Sequence, residues 1–218
     1  VIASQFMGMK DERTDLFMVV IQFAAILAVC WEYRARIFKV FNGILHDEES
    51  TNLSRNIVVA FLPLAILGLL FGGQLKKLLF APVPIALAFI AGGLLILWAE
   101  RREHIITVNE VEEMTWKDAL KIGIVQAFAL IPGTSRSGAT IIGGLLFGLS
   151  RKAAAEFTFF LAIPTLGAAS LYDLYKRRDL LNANDVGMWV VGLVASFASA
   201  LLVVRGLLRY ISKHDFSA

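Results

Sequence analysis

The chain has 218 residues, 57% of them hydrophobic and 18% charged, with a formal net charge of +3. Its mean hydropathy is +0.68. Soluble domains average roughly 45–50% apolar residues with glycine counted, so this composition excludes an ordinary soluble domain, and the small charge, carried by loops, points to anionic headgroups and not to nucleic acid.

The apolar residues fall in blocks. Val1–Met9 is apolar and ends in a charged loop, Lys10–Asp15. Leu16–Trp31 is the first spanning candidate, with Gln22 its one polar residue and Cys30 inside it. A lone cysteine excludes an internal disulfide, and in an apolar run it packs or faces lipid. Arg34, Arg36 and Lys39 follow, then a polar loop from His46 to Ser50. Ile57–Gly73 is the second span, and Lys76 and Lys77 separate it from the third, Leu78–Ala99. Each run is near the roughly 20 residues needed to cross ~30 Å of hydrocarbon.

Glu100–Asp118 is a loop rich in both charges. Thr115 and Asp118 have the spacing of a capping box, so a helix is predicted to start there. The long apolar tract Ile122–Leu149 follows, and Ser150, Arg151 and Lys152 punctuate it. Ala153–Tyr172 is a span carrying Glu156, Lys176–Asp179 is a loop, and Val186–Val204 is the last full span. Arg205, Arg209 and Lys213 lie on an amphipathic tail. His46, His104 and His214 sit in polar loops without a ligand constellation.

One stretch organises the rest: Pro132-Gly133-Thr134-Ser135-Arg136-Ser137-Gly138-Ala139-Thr140, a polar island within Ile122–Leu149. An arginine and hydroxyls at bilayer depth are costly and mark a site facing a cavity or bundle interior. Pro132 and Gly133 are predicted to break the helix before them, and Gly138 allows close backbone approach. Irregular backbone at that depth requires protein or water around it. The island reads as a re-entrant helix–loop–helix that aims Arg136 and a helix N-terminus at one anion. Ser135, Ser137 and Thr140 are candidate donors to that anion or caps of the following helix. Glu156 is a partner for Arg136 or a metal, or an interfacial acid beside Lys152. Gln126 either bonds within the site or bridges helices.

A shift of 140 residues aligns Ile2 with Ile142, Gly8 with Gly148, Met9 with Leu149, Phe17 with Phe157 and Ile21 with Leu161. With three spans between the copies, the second is inverted, an arrangement common in membrane transport folds. Val1 then matches Ile141, so a partner island is expected before Val1. The chain, without an initiator methionine, reads as lacking its N-terminal part, and a final span is expected after Ala218. Positive charge is denser on the face holding Arg34, Arg36, Lys39, Lys117, Lys121, Arg151 and Lys152 than on that holding Lys76, Lys77 and Lys176–Arg178, which places the first face in the cytoplasm. The fold expected is an all-α integral membrane protein. It is a polytopic helical bundle with a re-entrant hairpin and an inverted-topology repeat, one transmembrane domain over residues 1–218.

The run Gln126–Thr140, Q-A-F-A-L-I-P-G-T-S-R-S-G-A-T, closely resembles the second signature of bacterial undecaprenyl-diphosphate phosphatases, also called bacitracin-resistance proteins. Ser150–Phe157 and Val19–Gln22 are similar to that family too, and the resemblance covers essentially the whole chain. It implies a multi-pass plasma-membrane hydrolase that converts the C55 isoprenyl diphosphate to the monophosphate, recycling the carrier for peptidoglycan and conferring bacitracin resistance. Arg136 and Ser135 would then be catalytic, with Ser137, Thr140, Gly133, Gly138, Glu156 and Gln126 at the substrate. A divalent cation, magnesium or calcium, is implied as cofactor, but this chain offers no clear metal ligands. The family's first signature, with its carboxylates, serine and histidine, is absent here, so this stretch alone is expected to be inactive. Partners implied are the isoprenoid diphosphate, membrane lipids and further copies of the chain.

Two other classes compete. A lipid flippase would share the re-entrant loop and the inverted repeat, but would release no phosphate in detergent. The membrane phosphatases that use S-R-x5-H are excluded by Phe157, which stands where Ser150-Arg151 would require histidine.

Overall fold

A computed structural model describes residues 12–79, 81–180 and 185–211. Val1–Met9, Lys213 and His214 lie outside them, as do Ile2, Gly8 and Met9 of the repeat alignment. The helices are α1 (Glu12–Glu32), α2 (Arg34–Gly43), α3 (Glu48–Leu79), α4 (Pro82–Glu100), α5 (Trp116–Ala127), α6 (Arg136–Leu146), α7 (Arg151–Lys176) and α8 (Val186–Ile211). Four are long and apolar enough to cross a membrane: α3, α4, α7 and α8. The broken pair α1 and α2 makes a fifth span if counted together. The protein is an all-α, polytopic membrane protein.

Several predicted boundaries move. The second apolar span ends at Leu75, just before Lys76 and Lys77, but the helix itself runs on to Leu79, and α4 starts at Pro82, after extended Ala81. Proline at the first helical turn gives up an N–H that has no intrahelical partner anyway, so the break falls there. The polar run from His46 is also mostly helix. Asp47 accepts from the Ser50 N–H (3.1 Å) and hydroxyl (2.6 Å), capping α3, and Glu48 and Glu49 favour its positive end. Nor is Lys10–Asp15 a loop throughout, since α1 already includes Glu12.

The chain packs as two compact units. One comprises residues 1–34 and 162–207. Within it α1 meets α8: Ser196 donates its hydroxyl to the Ile21 carbonyl at 2.6 Å, and Phe17 meets Trp189 edge-on at 5.6 Å. Arg205 closes the pairing on Glu32 at 2.6 Å. Phe17 and Ile21 of the repeat alignment lie on α1.

The other unit comprises residues 35–161 and 208–218. Its centre is the crossing of α3 and α5, where a Cβ on Gly123 would lie 2.6 Å from the Ala60 carbonyl oxygen. Small residues let the two backbones touch, the usual means of packing helices where lipid offers no hydrophobic drive. Ala99, Ile142 and Leu145 form a buried cluster between α4 and α6. Phe157 and Leu161 of α7 are fully buried.

The segment from Arg101 to Thr115 is tied down despite its charge. Val108, Val111 and Met114 are buried, and Asn56 of α3 donates to the Met114 carbonyl at 2.7 Å. Val108 pairs with Leu149. Ion pairs gather at this end of the unit: Arg36 with Glu112 and Glu156, Arg151 with Glu100, and Lys152 with Glu110. Arg36, Arg151 and Lys152 thus share one end, as the charge pattern required.

Candidate functional site

The island joins α5 to α6. Thr115 caps α5 in the expected reciprocal box, accepting from the Asp118 N–H (3.4 Å) while Asp118 accepts from the Thr115 N–H (3.2 Å). The α-helix does not run up to Pro132. It ends at Ala127 and tightens into a 3-10 turn, Phe128–Leu130, before the proline. The chain turns at Gly133, whose φ of 95° is in the left-handed region. A Cβ there would stand 2.6 Å from the Ile85 carbonyl oxygen of α4, so glycine is required by conformation and by space.

Helix α6 starts at Arg136. Ser135 is its N-cap, accepting from the Gly138 N–H at 3.1 Å. It ends in a Schellman motif: Leu149 N–H bonds Gly144 O at 2.9 Å, Gly148 N–H bonds Leu145 O at 3.1 Å, and Gly148 has φ 91°. α5 and α6 pack as an antiparallel hairpin, with Gln126 near Arg136 at one end and Lys121 over the Phe147 ring at the other. At 12 and 11 residues they are about 18 and 16 Å long, short of the ~30 Å hydrocarbon core. The tract therefore returns to the end it entered, with Arg136 at the far tip.

At that tip Ser135 and Ser137 are exposed, their hydroxyls 3.4 Å apart. Arg136 is half-buried at the first position of the helix. Its guanidinium makes one long bond, 3.5 Å, to the side-chain oxygen of Gln126, and no ion pair among the described residues. A guanidinium, two hydroxyls and a helix N-terminus thus lie at one tip of the hairpin, a set of donors suited to phosphate oxygens. Ser135 has no histidine or carboxylate within hydrogen-bonding distance among the described residues. Its geometry in this structure is that of a cap and surface donor.

Three expected site residues stand elsewhere. Thr140 is fully buried and turned inward: its hydroxyl donates to the Arg136 and Ser137 carbonyls (3.1 Å each) and accepts from Thr158 of α7 at 2.9 Å. Glu156 pairs with neither Arg136 nor Lys152. It accepts from Arg36 at 2.8 Å, while Lys152 takes Glu110. Gln126 is fully buried behind Arg136 and donates to the Ala60 carbonyl at 3.5 Å, so it both touches the arginine and bridges α3 to α5. Gly138 supports the cap, since a Cβ there would meet Ser135 at 3.1 Å. Of the histidines, His46 is exposed in a turn and His104 meets the Ala99 carbonyl at 3.1 Å. Sequence reasoning missed Thr158 and the pairing role of Arg36, because contacts 18 and 120 residues apart leave no local pattern.

A cavity of about 450 Å³ runs beside the break, between Leu67–Leu78 of α3 and Ile124–Ile131. Its lining is apolar except for Gln74. Among the described residues there is no group of three or more His, Cys, Asp or Glu side chains able to hold a metal ion.

Similar sequences among known proteins carry one name. The undecaprenyl-diphosphatase 2 of Rhodospirillum rubrum is 63% identical over 218 residues, covering 100% of this chain and 80% of that protein. The undecaprenyl-diphosphatases of Dechloromonas aromatica and Nitrosospira multiformis are 62% and 59% identical, again over 100% of this chain and 80% of theirs. The family of the bacitracin resistance protein BacA matches residues 1–218 throughout, and this chain belongs to it.

Proposed function

We infer that the protein is an undecaprenyl-diphosphatase: a membrane hydrolase that releases phosphate from the C55 isoprenyl diphosphate and leaves the monophosphate. The observation that carries the reading is Arg136, a guanidinium without a carboxylate partner among the described residues, set at the tip of a broken helix and flanked in sequence by two exposed serines. Phosphoryl transfer asks mainly for positioning and for donors to the non-bridging oxygens. Arg136 supplies a bidentate fork. Ser137, Ser135 and the first N–H groups of α6 add hydrogen bonds. Gly133 and Gly138 shape the backbone around them, and Gln126 and Thr140 hold the site from within. The apolar cavity beside the break suits the isoprenoid chain of the same molecule.

The site opens within the plasma membrane, where the lipid carrier resides, and carrier recycling there serves peptidoglycan synthesis and bacitracin resistance. A magnesium or calcium ion accompanying the diphosphate belongs to the proposal. The described residues do not fit it: Glu156 and Glu112 are both held by Arg36, and Glu100 is held by Arg151.

The test is phosphate release from C55 isoprenyl diphosphate by the full-length protein in detergent. With no bilayer to cross, a flippase without hydrolysis releases none, and that result would refute the reading.

A further inference from the structure

Gln126 is fully buried, yet among the described residues only Arg136 and one backbone carbonyl are in reach of its amide. Its oxygen accepts from the Arg136 guanidinium and its nitrogen donates to Ala60 O, each at 3.5 Å. The Ala60 carbonyl is itself fixed, because it lies in the close crossing with Gly123. The guanidinium is thereby indexed to the backbone of α3 through one side chain.

The anchor is neutral, which sets Arg136 apart from the arginines that carboxylates hold. Arg36, Arg151 and Arg205 each rest on a glutamate. A glutamate at position 126 would have the shape and reach of the glutamine, but would compensate the arginine's charge. An amide oxygen orients a guanidinium and leaves its unit charge uncancelled. That charge attracts an anion more strongly than a guanidinium already compensated by a carboxylate would.

We propose that Gln126 is a positioning residue: it holds the Arg136 guanidinium from behind while leaving its full positive charge for the diphosphate. The inference rests on Arg136 meeting that group. Gln126 itself touches no substrate.

Glu and Met at position 126 separate orientation from charge. Both are compared with the full-length parent in detergent, with C55 isoprenyl diphosphate as substrate and a thermal melt to count folded protein. Gln126→Glu is expected to raise KM about tenfold or more with kcat within about threefold, because the arginine is neutralised before substrate arrives. Gln126→Met keeps the charge and loses the anchor, so kcat is expected to fall about tenfold or more while KM stays within about threefold. A wild-type KM in a folded Gln126→Glu variant would overturn the proposal. So would equal loss of kcat in both variants at unchanged KM, the behaviour of a plain helix bridge. If Gln126→Glu does not fold, Gln126→Met decides: a lower kcat per folded molecule at an unchanged melting temperature supports the proposal, whereas an unchanged kcat, or a loss of kcat that tracks a lower melting temperature, overturns it. Arg136→Ala, run in parallel, separates the two readings. A wild-type rate there removes the diphosphate assignment, whereas no rate there with unaltered Gln126→Glu kinetics removes only the positioning role.

Discussion

The Thr158 hydroxyl donates to the Thr140 hydroxyl at 2.9 Å, joining α7 to α6 one turn behind Arg136. Both residues are buried. Thr140→Val is therefore expected to cost about 1–2 kcal/mol of stability, read as a lower melting temperature in detergent. Turnover per folded molecule should change far less. A large loss of turnover at an unchanged melting temperature would place Thr140 on the substrate instead.

Arg136→Ala is expected to lower phosphate release by about a hundredfold or more, the scale on which loss of a charge-stabilising donor is felt. The protein should still insert and melt normally, because the side chain has one long neutral bond. Arg136→Lys should be strongly impaired too, since an ammonium cannot reproduce the planar fork. Steady-state kinetics with melting curves check both.

Gly133→Ala forces a Cβ into left-handed backbone and against Ile85 of α4. The expected cost is about 1–3 kcal/mol, with turnover lost because the tip carrying Arg136 is displaced. Ala at Gly72, where a Cβ would meet nothing within 4 Å, is the matched control and should leave both measurements unchanged.

Arg36 stands between Glu112 and Glu156, with side-chain exposures of 24% for the arginine and 10% for Glu156. Removing Glu156 leaves Arg36 on Glu112 alone, and the loss of one hydrogen bond between charged groups is expected to cost about 2 kcal/mol in Glu156→Ala. Its effect should appear in the melt and not in KM. A selective rise in KM would return Glu156 to the site.

Hydrogen bonds from the Ser50 hydroxyl and N–H hold the Asp47 carboxyl below the ordinary aspartate range. Its folded pKa is thus below the unfolded value of about 3.9. The stability it contributes is present above that pH and is lost as pH falls through the folded pKa. Asp47→Asn, which cannot titrate, should flatten the fall in melting temperature on the acid side of about pH 4. Equal acid slopes in the two proteins would refute the assignment.

Much of the site was legible locally. Thr115 with Asp118, and Ser135 ahead of Arg136, are caps whose partners sit three residues away, so spacing alone reveals them. Proline and glycine at the break carry their backbone preferences with them. Helix ends set by longer-range packing were less legible. α5 stops at Ala127, ahead of the proline, and the lysines after Gly73 fail to stop α3. Lysine is a good helix former whose charge alone does not break a helix.

Hydropathy by itself determined an all-α membrane protein, because ~30 Å of hydrocarbon demands long apolar runs with internally satisfied backbones. The polar island by itself marked the candidate site, because such residues are too costly there without a purpose. Only the tertiary structure decided what each polar side chain touches. It gave Glu156 to Arg36, turned Thr140 toward Thr158, and set neutral Gln126 behind Arg136. Those choices depend on how helices distant in sequence pack together, and packing brings together groups that no local spacing connects.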